Sequence, residues 1–562
     1  MVVGAQKLRD GKDGSMRRSM MNALLSRMSE DDKNQLKSIY APTVVTAPPG
    51  DACRNLCVAP DGEIRIYGSL NPSYTDFSNL GTEVYASSLD GGLSWKTHTI
   101  DKVLAIGAAA INPHTGRYLT TYPNEYRPAF NRAFGREGTW AILNDEGFDS
   151  DNNRYVKISD LDIHILKLPM YIESVKMWLV LGQTNRENFE THITVSRSFD
   201  DGESWATQVI EQTAPPFEVR PPHGMIRWQQ YSCEPTVVEL SDGTLLMYLR
   251  TSQDYHYCHI SKDHGATWSE IPTPSPFHGT ITMPVLYKLH DGRILFFWCN
   301  TQPLPELSPD SLVPPLWDWE LKGYGEDVFT NRDANHLAIS EDDGKTWIGL
   351  REMMLNPLRN AADFRRCLPG RNGDKSIHQG QIVELPYNKI LVHYGQNAAC
   401  RSVAILDIDW LYEREREEDF LTGLHNVTTH TYFKSVIGDV RGRRGHCAAN
   451  RTSGATLMPD PEVTNSDRMY EEVLKICRVE DERLLYKKQG VVWNFPAARR
   501  ATVEVDLAVV GAGVNVALTD HWYNACDESV ADEAHIVLPL ADRTEGFVTL
   551  VIDYDLDRNY AH

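Results

Sequence analysis

The stretch SFDDGESW, Ser198–Trp205, decides how this chain folds, because the chain repeats it as SLDGGLSW at Ser88–Trp95, SKDHGATW at Ser261–Trp268 and SEDDGKTW at Ser340–Trp347. All four obey Ser-x-Asp-x-Gly-x-x-Trp. In each, the aspartate carboxylate is suited to accept backbone N–H groups across a tight corner. Glycine supplies the φ > 0 position, and the tryptophan packs beneath the loop. A hairpin corner that recurs with its mechanism intact marks a repeated β unit, and the spacing is that of a propeller blade.

Around these corners a second unit repeats, a turn followed by an apolar strand. It reads PDGEIRIYGS (60–69), HTGRYLTTYP (114–123), ESVKMWLVLG (173–182), SDGTLLMYLR (241–250), HDGRILFFWC (290–299) and PYNKILVHYG (386–395). Six such units predict six blades. The interval between the first two corners spans about two blades, so the second blade has lost its corner and NDEGFDSDN (144–152) is its remnant. The last blade also lacks one, as degenerate repeats in rings often do.

Upstream, MRRSMMNALLSRMSEDDKNQLKSIY (16–40) places Met20, Leu24, Leu25 and Met28 at helical spacing, which predicts an amphipathic helix packed on the propeller or on a partner subunit. Downstream, WLYEREREEDFLTGL (410–424) reads as a charged helical linker. The runs HTYFKSV, GVVWNF, RATVEVDLAVV, GVNVALTDHWY, AHIVLPL and FVTLVIDYD then predict an appended β-sandwich, jelly-roll-like in pattern. The expectation is thus an all-β chain. Residues 1–44 form an N-terminal helical extension, 45–412 a six-bladed β-propeller, 413–428 a helical linker and 429–562 the sandwich.

The net charge of −21 over 562 residues excludes a general binder of nucleic acid or anionic membrane, since the long-range field repels phosphate. An anionic ligand needs a local basic cluster. Ten cysteines without a Cys-x-x-Cys pair or zinc-type spacing read as buried free thiols. The first residues, MVVGAQKLRDGKDGSMRRSMMNALL, lack the apolar core and small-residue site of a secretory signal, and no apolar run reaches the roughly 20 residues that span a bilayer. A soluble, cytoplasmic protein is expected, secreted or periplasmic if a leader precedes this sequence. The sequons at Asn426 and Asn450 read as coincidental.

The corner is the Asp box, and the chain resembles the sialidases, or neuraminidases, whose scaffold is a six-bladed β-propeller built on this BNR repeat. In that family three arginines from separate blades converge on the carboxylate of a sugar acid, a task suited to a planar fork that keeps its charge. The resemblance implies Arg54 as the first, in CRNLCVAPDGEIRIYG, where Arg-Asn-Leu stands for the family's Arg-Ile-Pro. It implies Arg250 as the second, ending CEPTVVELSDGTLLMYLR, which also supplies the family glutamate as Glu234. Arg332, in NRDANHLAISEDDGKTW eight residues before Ser340, is the third. The general acid/base falls on Asp76 in NPSYTDFSNLGTEVYASSLDGG, with Glu83 its acidic rival in that stretch.

The family's tyrosine nucleophile is missing. Aligning SIHQGQIVELPYNKILVHYG puts Gln379 at that position with His378 beside it, while Tyr387 and Tyr394 fall in a turn and deep in a strand. Without tyrosinate attack, His378 or Glu234 would activate water for direct displacement with inversion. Two alternatives stand beside this: Tyr231 or Tyr255 takes the nucleophile's place, or the propeller binds sugar acids without cleaving them. A uronate polysaccharide lyase using His378 as the proton-abstracting base is a third reading. The leading expectation is an exo-glycoside hydrolase releasing a terminal sialic acid or related ulosonic or uronic acid. Arg54, Arg250 and Arg332 clamp the carboxylate, and Asp76, Glu234 and His378 are catalytic. No motif implies a cofactor or metal, and the implied partners are a carboxylated sugar or glycoconjugate, with no nucleic acid, no membrane and a homo-oligomer through the N-terminal helix or the sandwich.

Overall fold

The computed structural model describes residues 14–49, 53–68, 84–102, 104–122, 136–185, 191–211, 232–251, 253, 255–279, 282–300, 334–356, 377–395, 401–428, 430–433, 449–453, 455–459, 472–476, 490–510, 513–521, 530–541 and 546–562. Six four-stranded antiparallel sheets dominate it. The first blade is β2 (Leu56–Val58), β3 (Ile64–Gly68), β4 (Val84–Ser88) and β5 (Lys96–Thr99), following a short β1 (Thr43–Thr46). The second is β6 (Ala110–Ile111), β7 (Tyr118–Tyr122), β8 (Thr139–Asn144) and β9 (Arg154–Ser159); the third is β10 (Met170–Ile172), β11 (Met177–Asn185), β12 (Thr191–Ser198) and β13 (Ala206–Ile210). The fourth is β14 (Ser232–Glu239), β15 (Leu245–Thr251), β16 (Tyr255–Ser261) and β17 (Thr273–His278), and the fifth β18 (Val285–Lys288), β19 (Ile294–Trp298), β20 (Ala334–Ser340) and β21 (Ile348–Leu355). The sixth takes three strands from the C-terminal side of the ring, β22 (Gly380–Leu385), β23 (Lys389–Tyr394) and β24 (Ser402–Asp407). Its fourth, outermost strand is β1, paired antiparallel with β24 through Thr43↔Ile405 and Val44↔Ala404. Hydrogen bonds between the two ends of the ring thereby close it.

Every turn-strand unit read from the sequence is the second strand of a blade: β3, β7, β11, β15, β19 and β23. Each Asp box follows the third strand. Because successive strands alternate direction, the starts of first and third strands and the ends of second strands share one end of the ring, here called the mouth. The boxes lie at the opposite end.

The boxes work as their residues dictate. In the third, Asp263 Oδ1 accepts from Ser261 Oγ at 2.8 Å and Thr267 N at 2.8 Å, while Oδ2 accepts from Thr267 Oγ1 at 2.6 Å. Gly202 and Gly265 take φ of 88° and 81°, where a side chain would be strained. Trp95, Trp205 and Trp347 donate Nε1–H to the box glycine carbonyl at 2.8–3.0 Å. The boxless second blade substitutes Asn144, whose Oδ1 accepts from the amides of Glu146 and Gly147 and whose Nδ2 donates to Asn153.

Hydrogen bonding from Thr267 holds the Asp263 carboxyl at about 2. With the folded value depressed, its stabilisation is present above the unfolded value near 3.9 and is lost as pH falls through about 2. Asp263→Ala is expected to lower the unfolding free energy at neutral pH by about 1 kcal/mol, since the carboxylate is exposed and screened. Urea unfolding of both proteins should show the gap narrowing as pH drops from about 4 to 2.

The N-terminal segment differs from expectation. It forms two helices, α1 (Gly14–Arg27) and α2 (Glu30–Ser38), because Ser29 caps the second one. Its Oγ accepts from Asp32 N while Asp32 accepts from Ser29 N, a capping box that restarts the helix. Leu24, Met28 and Leu36 are buried against Leu56, Ile64, Leu391 and Ile405, so the pair packs on the chain's own first and sixth blades. Among the described residues no helix is long and apolar enough to cross a membrane.

The linker expected as a helix is not one. A 3-10 turn at Ile408–Tyr412 gives way to irregular chain, because the alternating charges of 413–418 offer no apolar stripe to bury. Side chains tie it down instead: Glu413 pairs with buried Arg351, and Arg416 donates to Asn494 O. Beyond it, a three-stranded sheet (Arg500–Leu507, Val548–Asp555, Tyr560–Ala561) and a hairpin (Val514–Leu518, Ile536–Leu540) share a small core around Val503, Ile552 and Tyr554. These elements rest on the fifth blade through Ala497 N to Gly349 O and Glu352 N to Asn494 Oδ1. Cys53, Cys57, Cys233, Cys258 and Cys299 are free thiols, as their spacing suggests, and burial pushes Cys57 up to about 12.

Candidate active site at the mouth of the propeller

Described residues from all six blades are stitched to one another at the mouth by polar side chains. Arg54, just before β2, donates to Thr121 O at 2.6 Å, to Thr121 Oγ1 at 2.9 Å and to Ile165 O at 2.9 Å, reaching from the first blade to the second and third. Gln183 Oε1 accepts from Glu234 N at 2.7 Å, joining third to fourth. Thr236 Oγ1 accepts from Leu286 N, and Asn335 donates to Ile377 O, which joins fourth to fifth and fifth to sixth. The ring closes where Cys53 donates to Gln379 Oε1 at 3.0 Å and Gln381 Oε1 accepts from the amides of Asn55 and Leu56.

Three mouth residues hold left-handed backbone: Arg54 at φ 41°, Glu234 at 48° and Gln379 at 65°. None is glycine, so each costs on the order of 1–3 kcal/mol and persists only because its surroundings enforce it. For Glu234 the cause is visible. The β14–β15 register slips between Cys233 and Thr236, and Pro235 within that bulge has no N–H to offer the ladder. The bulge turns the Glu234 side chain to Arg250, at the end of β15, which donates to Oε1 at 2.8 Å in a pair only 5% and 10% exposed. Glu234 Oε2 is buried and has no hydrogen-bond partner among the described residues.

Lys167, three residues before β10, escaped the sequence reading. It precedes the first strand of the third blade, as Arg54 and Gln379 precede those of the first and sixth. Its ammonium donates to Pro284 O at 2.8 Å and lies within electrostatic reach of both Glu234 and Cys53. Desolvation lowers it from 10.5 to about 8. With the folded value below the unfolded one, its charge costs stability at low pH, and that cost is relieved as pH rises from about 8 towards 10.5. Lys167→Met is therefore expected to be more stable than wild type at pH 7, by on the order of 1–3 kcal/mol, and to lose the alkaline rise in stability. Thermal unfolding at pH 7 and pH 10 reads both effects.

Of the residues selected from sequence, Glu234 and Arg250 come together as a buried ion pair. Arg54 is at the mouth but 4% exposed, its fork directed at protein carbonyls. His378 is fully buried beside Gln379, whose side-chain oxygen accepts a hydrogen bond from the Cys53 thiol. Tyr394 is buried in the same apolar cluster as Cys53 and Ile377, and the Tyr255 ring lies 4.4 Å from that of His278. Asp76, Glu83, Arg332 and Tyr231 lie outside the described residues.

A family model described as a BNR repeat-like domain matches residues 167–387. The chain thus carries the Asp-box repeat, and the resemblance drawn from its motifs is borne out. No curated protein matches the chain. Among solved structures, it is similar to a Trypanosoma rangeli sialidase at 13% identity and TM-score 0.37, over 92% of this chain and 83% of that one. The intramolecular trans-sialidase from Ruminococcus gnavus in complex with oseltamivir carboxylate aligns at 12% identity and TM-score 0.38, over 68% of this chain and 97% of that one. An α-L-arabinanase from Penicillium chrysogenum complexed with arabinobiose aligns at 13% and 0.35, over 66% and 98%.

Proposed function

We propose that the chain is an exo-glycoside hydrolase of the sialidase type, releasing a terminal carboxylated sugar with water as the nucleophile. The observation that carries this reading is Glu234: a carboxylate fixed by a bulge and by Arg250, one oxygen engaged and the other buried without a partner among the described residues, at the mouth of the ring. A buried, unsatisfied carboxylate oxygen is costly, and such groups are retained where they do chemistry. Glu234, together with His378, would take the proton of the attacking water, and Asp76 would protonate the leaving oxygen. Arg250 and Arg332 would hold the sugar carboxylate. Arg54, which ties three blades together, would set the mouth's geometry and join the clamp by exchanging its carbonyl partners for substrate.

Gln379 occupies the nucleophile position with its amide engaged by Cys53, which supports a single displacement. The sugar acid would then leave with inverted configuration. A propeller that binds sugar acids without turnover is the second reading, favoured by the complete burial of His378. Hydrolysis of an aryl glycoside by the wild-type chain separates the two, and His378→Ala then tests the role of His378. Loss of aryl-glycoside hydrolysis with undiminished sugar-acid binding is expected, whereas unchanged hydrolysis would remove His378 from the mechanism.

A further inference from the structure

At the mouth end of the ring but on its outer edge, the rim of the fourth blade meets the C-terminal elements. His278 ends β17, and Asp520 and His521 follow the strand Val514–Leu518. One donor atom from each of the three lies within 4.8 Å of the others. The two imidazoles stack with ring centroids 3.6 Å apart and planes at 11°, and both face the same carboxylate: His521 Nδ1 is 2.5 Å from Asp520 Oδ1, and His278 Nε2 is 3.5 Å from Oδ2. A third imidazole, His535, places Nε2 3.4 Å from Oδ2. The side chains of His521 and His278 are 5% and 16% exposed, while those of Asp520 and His535 are 52% and 45% exposed, so the cluster opens to solvent on its carboxylate side and edges a cleft of about 150 Å³.

We propose that His278, Asp520 and His521 bind a divalent transition-metal cation of the zinc class, which fastens the C-terminal β elements to the fourth blade. Two nitrogen donors and one carboxylate suit zinc, cobalt or nickel, whereas magnesium and calcium prefer oxygen shells. Tetrahedral bonds of about 2.0–2.1 Å put donors about 3.4 Å apart, so side-chain rotations close the observed cluster onto an ion. Asn300 Nδ2 donates to the Asp520 carbonyl at 3.0 Å and Thr519 Oγ1 to the His521 carbonyl at 2.7 Å, which fixes the backbone carrying two of the ligands. His535 is the candidate for the fourth position, with water as the alternative. His278 stands more than two hundred residues before the adjacent Asp520 and His521, so no spacing motif announces the site.

The test uses the full chain stripped with chelator and titrated with Zn²⁺ by calorimetry and with Co²⁺ by visible absorption. Expected are one equivalent of saturable uptake, a Co²⁺ spectrum of tetrahedral type, and a rise in the thermal midpoint of roughly 2–4 °C with saturating zinc. His278→Ala and His521→Ala should each weaken uptake at least tenfold, while His114→Ala leaves it unchanged. Should a variant fail to fold, X-ray absorption at the zinc edge of the wild-type protein reads the ligands directly, with at least two imidazoles expected. Absence of one-equivalent uptake, uptake unaltered in both ligand variants, or an all-oxygen shell would overturn the proposal.

Discussion

Arg250→Met is expected to abolish hydrolysis and sugar-acid binding together and to lower the unfolding free energy by about 3–5 kcal/mol. The stability loss follows from the burial of Glu234, which at 5% exposure would keep a charge with its hydrogen-bonding cation removed. Lys167 lies close enough to soften the penalty without making the lost bond. The activity loss follows from the double role proposed for the guanidinium: it holds the proposed base through Oε1 and would meet the substrate carboxylate. Loss of one such donor in a water-poor site costs about 10²–10³-fold in turnover. In the double variant Arg250→Met/Glu234→Gln, most of the stability should return while activity stays absent, because no charge is left stranded. Urea unfolding of the four proteins of that cycle isolates the coupling.

Glu234→Gln is expected to fold, to bind the sugar acid within a few-fold of wild type and to lose about 10²–10⁴-fold in kcat. Glutamine preserves the shape and leaves an oxygen for Arg250 to reach, so the bulge at Cys233–Thr236 and the bond from Glu234 N to Gln183 need not change. What disappears is the capacity to accept a proton. A fall confined to kcat identifies a group acting in the transition state, whereas an equal rise in KM would assign Glu234 to ground-state binding. Lys167→Met complements this variant: a gain in stability accompanied by reduced turnover is expected, because the ammonium lies within electrostatic reach of Glu234.

Much of the scaffold was legible because its signals are local. Ser-x-Asp-x-Gly-x-x-Trp is a self-contained turn whose hydrogen bonds close within the motif, so reading it four times fixes four corners. The second strands are buried on both faces and therefore read as apolar runs. Less local features stayed hidden. Thr43–Thr46 is too short to announce itself and becomes a strand only because β24 offers an open edge. The helix break at Ser29 was written in Ser-x-x-Asp, but helical spacing alone runs through it.

The site divides in the same way. Glu234 and Arg250 were found because both fall at fixed places in one blade's strand pair, and that pairing brings their side chains within bonding distance. The carbonyl partners of Arg54 belong to other blades, and no spacing encodes them. The left-handed backbone at Arg54, Glu234 and Gln379 is imposed by inter-blade packing on residues with no intrinsic preference for it. Lys167 was missed because its charge matters only once the ring sets it beside Glu234.

The reading of Glu234 and Arg250 as the heart of a sugar-acid hydrolase comes down to hydrolysis of aryl α-sialosides and aryl uronides by the wild-type chain, followed by proton NMR from the first turnover. Release of the aglycone, with the free sugar acid first appearing in the anomeric configuration opposite to that of the substrate and Glu234→Gln inert, is the expected result. Saturable binding of a carboxylated sugar without turnover, or neither binding nor turnover, by the folded protein would contradict it.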